Sequence, residues 1–273
     1  MNLKNIRSLV RRSGTAIKDL TPEQITPEIQ HLAIAQTPEA LKYIDKHTPQ
    51  LLEAAVSFHG RALEYADPQL VTPAIELIAV QKSGKALAFV KQQTSELALA
   101  AVQQDGNALE LVENPTPEIE KAAVKQTGAA LRFVKQQTVE LVKIAVANYG
   151  CALAYAQPEL ITEEIALVAV TNMGEALEFV PKQTQEIVNL ALEDTLFAFS
   201  YVAPEFQTPE IAMQAVELDG QFLFSVHNQT PELALAAVKS NGYALEHVKD
   251  KTAEIVKAAL ENEPGAIDFV DVS

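Results

Sequence analysis

The stretch Thr230–Thr252, TPELALAAVKSNGYALEHVKDKT, contains the pattern from which the rest of the chain is built. Thr230 is a good helix N-cap, Pro231 suits the first helical position, and Glu232 places a negative charge at the positive end of the helix dipole. Gly242 predicts the end of this helix, and a second, shorter helix follows it. The stretch therefore predicts one helix-turn-helix unit.

The same unit recurs along the whole chain. Aligning the sequence on the residue at the turn gives twelve units at spacings of 22 or 24 residues, centred on Gly14, Pro38, Gly60, Gly84, Gly106, Gly128, Gly150, Gly174, Leu196, Gly220, Gly242 and Pro264. Nine of the ten glycines occupy this position. Because a fixed glycine is typical of a left-handed turn residue, we expect a positive φ at each of them.

Other residue types repeat in phase with the turn. Alanine stands two residues after the turn in eleven units, a large apolar residue follows it in all twelve, and threonine stands twelve residues before the turn in eleven. The apolar positions follow the helical period of 3.6, which makes strands an unsuitable interpretation. The sequence therefore predicts an all-α fold, an α-solenoid of about twelve helix-turn-helix repeats of 22 or 24 residues, as a single array over residues 1–273.

The two ends depart from the pattern. Residues 1–18 carry five bases and no acid, which is also typical of a mitochondrial presequence. Asn2, Ile6, Val10 and Gly14 nevertheless fall in register with the repeat, so we interpret residues 1–20 as a degenerate, basic N-terminal capping unit. Residues 252–273, where Pro264 replaces the turn glycine, are expected to be the C-terminal capping unit.

One repeat resembles a known family. The run Ala145–Ala156, AVANYGCALAYA, is similar to the motif AVxxxGxALxYA of a domain-of-unknown-function family of short helical repeats seen in bacteria and large DNA viruses. The resemblance covers nearly the whole chain. It implies a helical array and no activity or catalytic residue.

The composition excludes several classes of function. The formal net charge is −15, from 21 lysines and arginines against 36 aspartates and glutamates, and a nucleic-acid groove is basic, so we expect no direct contact with nucleic acid. No apolar run approaches the roughly 20 residues of a membrane helix, so no membrane association is expected. Cys151 is the only cysteine and has no partner for an internal disulfide, which favours a reducing, cytoplasmic location.

No motif for catalysis or for metal binding is present in the sequence. The five histidines, His31, His47, His59, His227 and His247, occupy five different phases of the repeat. A metal site needs ligands that converge, and this scatter does not provide them. The chain also has no phosphate-binding glycine motif and no nucleophile motif. We expect a protein without a cofactor and without enzymatic activity.

Two further features of the sequence are not required by the helical repeat. Nine units carry a glutamate just after the helix cap: Glu28, Glu96, Glu118, Glu140, Glu164, Glu186, Glu210, Glu232 and Glu254. These residues either complement the helix dipole or form an acidic line for a basic partner.

Half of the phenylalanines, Phe197, Phe199, Phe206, Phe222 and Phe224, lie within 28 residues. They either repair a degenerate core or form an exposed aromatic patch.

We interpret the chain as a non-catalytic protein-binding scaffold with an extended acidic surface, by analogy with other solenoids. Residues 183–273 hold 15 acids against 4 bases together with the phenylalanine cluster, so a protein with a basic surface is expected to bind there, and a second copy of the chain is left open. The expected anchors are Phe197, Phe222 and Phe224, surrounded by Glu210, Glu232 and Glu254. Two alternatives are an acidic, viral-type inhibitor or nucleic-acid mimic in a basic groove of a host protein, and an enzyme with an unrecognised site.

Overall fold

The structure is a computed structural model, and it describes residues 2–270. Every regular element among these residues is helical, and none of them is in a strand, which confirms the all-α class. Twelve α-helices of ten residues each recur once per predicted unit. They are α1 Leu3–Arg12, α2 Pro27–Gln36, α3 Pro49–Phe58, α4 Pro73–Lys82, α5 Ser95–Gln104, α6 Pro117–Gln126, α7 Val139–Asn148, α8 Glu163–Asn172, α9 Gln185–Asp194, α10 Pro209–Leu218, α11 Pro231–Ser240 and α12 Ala253–Asn262.

The second helix of each unit is a 3-10 helix of six residues that begins at the turn residue. These helices are Gly14–Asp19, Pro38–Tyr43, Gly60–Tyr65, Gly84–Phe89, Gly106–Leu111, Gly128–Phe133, Gly150–Tyr155, Gly174–Phe179, Leu196–Tyr201, Gly220–Ser225, Gly242–His247 and Pro264–Phe269. We number the repeats 1 to 12 by their α-helix. The tighter 3-10 form is usual for helices this short.

The chain divides into two compact units, Met1–Gln137 and Thr138–Ser273. Within each unit the α-helices pack on their neighbours in sequence order, apart from the pair α9 and α10, and the 3-10 helices pack on theirs throughout, which produces a two-layered α-solenoid. The prediction of a single array over residues 1–273 stays a prediction. The last three residues of the predicted C-terminal capping unit lie outside the described residues.

The predicted helix caps are confirmed in every repeat. The side chain of Asn2 accepts a hydrogen bond from the backbone N–H of Asn5 at 2.9 Å, and each cap threonine does the same three residues ahead. The threonines are Thr26, Thr48, Thr72, Thr94, Thr116, Thr138, Thr162, Thr184, Thr208, Thr230 and Thr252. Each cap satisfies one N–H that the helix itself leaves unpaired.

The expectation of a positive φ at the turn glycines is wrong. Among the described residues no glycine has a positive φ. The glycines are needed because the next α-helix approaches their Cα atoms closely. A Cβ placed on Gly84 would lie 2.6 Å from the backbone oxygen of Ala101, and one on Gly242 would lie 2.6 Å from that of Ala259. The repeated glycine therefore sets the spacing between repeats, and it does not set the turn conformation.

Two rows of side-chain hydrogen bonds tie neighbouring repeats together where the sequence provides a suitable side chain. At the turns, the last residue of an α-helix accepts from the turn N–H of the preceding repeat, as Gln126 Oε1 does from Gly106 at 2.6 Å. At the connections, the glutamine before the cap threonine bridges two backbone groups of the next repeat. Gln229 Nε2 donates to the His247 oxygen at 2.9 Å, and its Oε1 accepts from the Lys249 N–H at 3.1 Å. Equivalent bridges are made by Gln93, Gln183 and Gln207.

Within residues 138–270 the stack is loosest between repeats 9 and 10. Leu196 occupies the turn position there, and a side chain at this point blocks the close approach that glycine permits. Within residues 138–270, α9 and α10 are the consecutive α-helices that lack close packing with each other. Ile211 of α10 is only half-buried, whereas Ile187 at the same phase of α9 is fully buried. This junction is where the phenylalanine cluster lies.

Candidate functional site

The exposed side of the 3-10 helices forms a row along each unit. A 3-10 helix has three residues per turn, so the first and fourth residues after the turn residue share one side, while the second and third carry the core alanine and leucine. We call these first and fourth positions the outer face. In Met1–Gln137 the outer face consists of Thr15, Lys18, Glu39, Lys42, Arg61, Glu64, Lys85, Ala88, Asn107, Glu110, Ala129 and Arg132. In Thr138–Ser273 it consists of Cys151, Ala154, Glu175, Glu178, Phe197, Ser200, Gln221, Phe224, Tyr243, Glu246, Gly265 and Asp268.

Three members of the phenylalanine cluster belong to the protein interior or its margin. Phe199 is fully buried, Phe222 is 8% exposed, and Phe206 is half-buried. The ring of Phe222 lies 6.3 Å from that of Phe199 in an edge-on arrangement, measured between centroids. These rings fill the loose junction between repeats 9 and 10. The alternative that the cluster repairs a degenerate core therefore describes these three residues.

The other two phenylalanines lie on the outer face. Phe197 is 58% exposed and Phe224 is 76% exposed, the largest value among the large apolar side chains of residues 2–270. The Phe197 ring packs against the Phe222 ring, and the Phe224 ring packs against the His247 ring. The ring centroids are 5.6 Å and 5.4 Å apart, respectively. His247 is in turn within 3.1 Å of Gln221 Oε1. Both exposed rings are thus supported from beneath by the next repeat.

The structure corrects one expected anchor. Phe222 takes the position that holds the core alanine in the other repeats, and it packs inward like that alanine. With 8% exposure it has almost no surface to offer a partner. It supports Phe197, which leaves Phe197 and Phe224 as the exposed aromatic residues of the cluster.

Acids flank the exposed phenylalanines along the outer face. In Thr138–Ser273 the outer face includes Glu175, Glu178, Glu246 and Asp268, and it includes no lysine or arginine. Glu175 and Glu178 belong to repeat 8, and Glu246 and Asp268 belong to repeats 11 and 12, so the aromatic residues of repeats 9 and 10 lie between them. Burial, and after it the charge of Glu178, raises the pKa of Tyr201, which lies in the same 3-10 helix as Phe197.

The glutamates at the helix starts have a structural role. Hydrogen bonding of Glu232 to its own backbone N–H, and then to the Thr230 hydroxyl, lowers the pKa of its carboxyl, and the same two causes lower the pKa of Glu210. Both side chains are exposed, as is Glu254. Among the other helix-start glutamates, Glu28 pairs with Arg7 of the preceding repeat at 2.7 Å, and Glu164 pairs with Lys143. These contacts fit the helix-dipole interpretation.

The outer face of the other unit is different. In Met1–Gln137 it carries five bases, Lys18, Lys42, Arg61, Lys85 and Arg132, and three acids, Glu39, Glu64 and Glu110. A cavity of about 530 Å³ opens on this face across the 3-10 helices of repeats 3 to 6. Sequence analysis missed this cavity, although the bases at the first and fourth positions after the turn could have indicated a basic surface there.

The histidines and the cysteine do not assemble a reactive centre. No group of three histidines, cysteines or carboxylates that could hold a metal ion occurs within residues 2–270. His47 takes the place of a bridging glutamine, since its Nδ1 accepts from the Asp67 N–H at 3.1 Å and its Nε2 lies 3.1 Å from the Leu41 oxygen. Cys151 lies 3.1 Å from the Met173 sulfur, and burial raises the pKa of its thiol.

Comparison with known proteins adds no family. No protein-family model matches the chain, and no curated protein is similar to it. The resemblance to the AVxxxGxALxYA repeats therefore stays a prediction. In the part of the chain that the structure describes, every helix is too short or too polar to cross a bilayer.

Proposed function

We propose that the chain is a non-catalytic scaffold that binds a protein with a basic surface through the outer face of Thr138–Ser273. The observation that carries this proposal is Phe224, a ring with 76% of its surface exposed that is supported by His247 on a face with acids and without bases. Aromatic anchors inside a polar rim are typical of protein interfaces.

The anchors and the acids have separate roles in this proposal. Phe224 and Phe197 supply the affinity, because burying an exposed phenylalanine side chain contributes roughly 1.5 to 3 kcal/mol. Glu178 and Glu246 attract a basic partner and set the salt dependence of the association rate. The helix-start residues Glu210, Glu232 and Glu254 extend the negative field of the unit while they complement the helix dipoles.

The test is capture from the native host with the immobilised protein, quantified by mass spectrometry. Wild type is compared with Phe224→Ala and with the control Phe58→Ala, which removes a phenylalanine that is 45% exposed on α3, away from the outer face. A basic protein retained by wild type and by the control, but lost from Phe224→Ala, supports the proposal. Calorimetry with that purified protein should then show a loss of about 2 kcal/mol.

Other outcomes separate the alternatives. A captured protein that Phe224→Ala still binds, and that moderate salt releases, favours the acidic inhibitor or nucleic-acid mimic, because this binding is electrostatic. Identical captured sets for all three proteins overturn the assignment of the site to the outer face.

A further inference from the structure

The cavity in Met1–Gln137 has the size and the lining of a binding site for a side chain. Its volume of about 530 Å³ lies within the range of roughly 300 to 1,000 Å³ that is usual for binding pockets. Phe89 and Leu111, both half-buried, contribute apolar surface, together with Ala88 and Ala108. An exposed depression with apolar surface favours an apolar or aromatic group as its occupant.

Basic side chains surround this apolar surface. Arg61, Lys85 and Arg132 line the cavity and are all exposed. The guanidinium of Arg132 lies 4.5 Å from the centre of the Phe133 ring, which shows that this side chain already stacks on an aromatic group. A cation over the face of an aromatic ring is attracted to it, and Arg makes this contact more often than Lys. The cavity therefore fits an aromatic side chain that arrives together with acids.

Of the two acids that line the cavity, Asp105 and Glu110, the first is hydrogen-bonded within its own repeat. Asp105 accepts hydrogen bonds from the backbone N–H of Asn107 at 3.0 Å and from its side chain at 3.4 Å. Glu110 is exposed on the outer face. Arg61 pairs with Glu64 at 2.7 Å, and Lys85 is an exposed lining residue of the next repeat. Three bases and two acids line the cavity, a net charge of +1, and the outer face of this unit carries five bases against three acids, which matches an acidic partner.

The same polypeptide carries a complementary surface. On the outer face of Thr138–Ser273, the Phe224 ring is 76% exposed, Glu246 holds the same position in the next repeat and Glu178 holds it two repeats earlier, and no base occurs on this face. The aromatic ring matches the apolar surface of the cavity, and the carboxylates match its basic rim. We propose that the partner of the acidic outer face is the basic cavity of a second copy of this chain, with Phe224 of one copy inserted between Arg61, Lys85 and Arg132 of the next. This inference rests on the proposed function, because it names the partner of the same site.

Charge decides which surfaces of two copies meet. Residues 1–137 hold 15 bases and 15 acids, whereas residues 138–273 hold 6 bases and 21 acids. A symmetric dimer through Phe224 would bring two acidic faces together, and that repulsion opposes binding. A contact between the acidic outer face of one copy and the basic cavity of another avoids this repulsion. An interface of this heterologous kind extends into a chain of copies or closes into a ring.

The experiment measures self-association by sedimentation velocity over a range of concentrations and at low and high salt. Wild type is expected to form larger species as concentration rises, and salt should weaken them. Lys85→Glu reverses a charge on the cavity rim, and Phe224→Ala removes the inserted ring. Each variant alone should remain monomeric with an unchanged helical circular dichroism spectrum. The control Lys82→Glu makes the same charge reversal in the same repeat, on α4 and outside the cavity, and should associate like wild type.

Mixing the variants gives the decisive result. Lys85→Glu keeps an intact Phe224 face and Phe224→Ala keeps an intact cavity, so an equimolar mixture should form one-to-one dimers that grow no further. The inference is overturned if wild type stays monomeric at every concentration and salt, if Lys85→Glu associates like wild type, or if the mixture forms no dimer.

Failure of this inference is distinguishable from failure of the proposed function. If wild type is monomeric and a captured basic protein still depends on Phe224, only the second copy is excluded as the partner. If Phe224→Ala alters neither self-association nor capture, both proposals are wrong.

Discussion

The two units of the chain share one repeat and differ on its surface. Both have the threonine caps, the bridging glutamines and the alanine and leucine core, yet residues 1–137 are neutral and residues 138–273 carry the whole net charge of −15. Part of this difference lies on the outer face, whose net charge is +2 in Met1–Gln137 and −4 in Thr138–Ser273, with Lys85 in one unit and Phe224 in the other as examples. The fold thus constrains the interior of each repeat and leaves the outer face free to acquire binding chemistry.

The largest effect expected from a single substitution is at the junction where the second unit departs from the repeat. Phe222→Ala removes a buried ring that packs on Phe199 and Phe197, and it should lower the free energy of unfolding by about 3 kcal/mol. Phe224→Ala removes an exposed ring on the same helix and should leave the midpoint of urea unfolding nearly unchanged. Equal losses in the two variants would mean that Phe224 is part of the core and is no binding anchor.

The second prediction concerns the close approach between repeats. Gly84→Val introduces a side chain against the Ala101 oxygen, and we expect a loss of about 2 kcal/mol in the free energy of unfolding. Gly265→Ala is the control, because an added Cβ there would meet the end of the Tyr243 side chain, which is able to move. If Gly84→Val unfolds at the wild-type denaturant concentration, the glycine does not set the spacing of the first unit.

The third prediction compares the same hydrogen-bond bridge in the two units. Gln93→Ala frees the Leu111 oxygen and the Glu113 N–H. Gln229→Ala frees the equivalent His247 oxygen and Lys249 N–H, together with the Leu223 oxygen. Leaving such groups unpaired costs about 1 to 2 kcal/mol. Thermal unfolding should show similar losses for both variants. A loss in one unit alone would show that the bridges are not equivalent.

The smallest expected effect is a pH dependence in the second unit. The pKa values of Glu210 and Glu232 are lowered in the folded state, so the ionised carboxylates stabilise it above the ordinary glutamate pKa of about 4.3. This stabilisation is lost as the pH falls through the lower folded pKa. Glu232→Gln should unfold at a slightly lower temperature than wild type at neutral pH and at the same temperature in acid. A difference that persists in acid contradicts the capping role.

The sequence was sufficient for whatever depends on local chemistry. Thr230 and the other caps, the α-helices that begin at them and the all-α class follow from residues that act on their own neighbours in the chain. The reason for Gly84 was not accessible in this way, because the atom that excludes a side chain there belongs to Ala101 of the next repeat. A glycine required for close approach and a glycine required for positive φ look the same in a sequence.

The candidate site was predicted only in part for a similar reason. The clustering of phenylalanines is visible in the sequence, but the inward packing of Phe222 on Phe199 is not, because Phe199 belongs to the preceding repeat. Both helical periods place Phe222 and Phe224 on different sides of the helix, about 160° apart in an α-helix and about 120° apart in a 3-10 helix, so the period alone did not show which of them faces inward. The bridging glutamines gave a signal, since Gln93, Gln183, Gln207 and Gln229 all precede a cap threonine. Their bonds required the backbone of the following repeat.

The two rows of side-chain bonds have a mechanical consequence. Several repeats are fastened to the next at the turn, as Gly106 is to Gln126, or at the connection, as Gln229 is to Lys249. Under a stretching force, the hydrogen bonds that hold one repeat to its neighbour share the load. They therefore break together when that repeat detaches. A repeat of 22 residues then releases roughly 75 Å of extended chain. Pulled by its ends, each unit should lengthen in steps of that size, one step for each repeat that detaches.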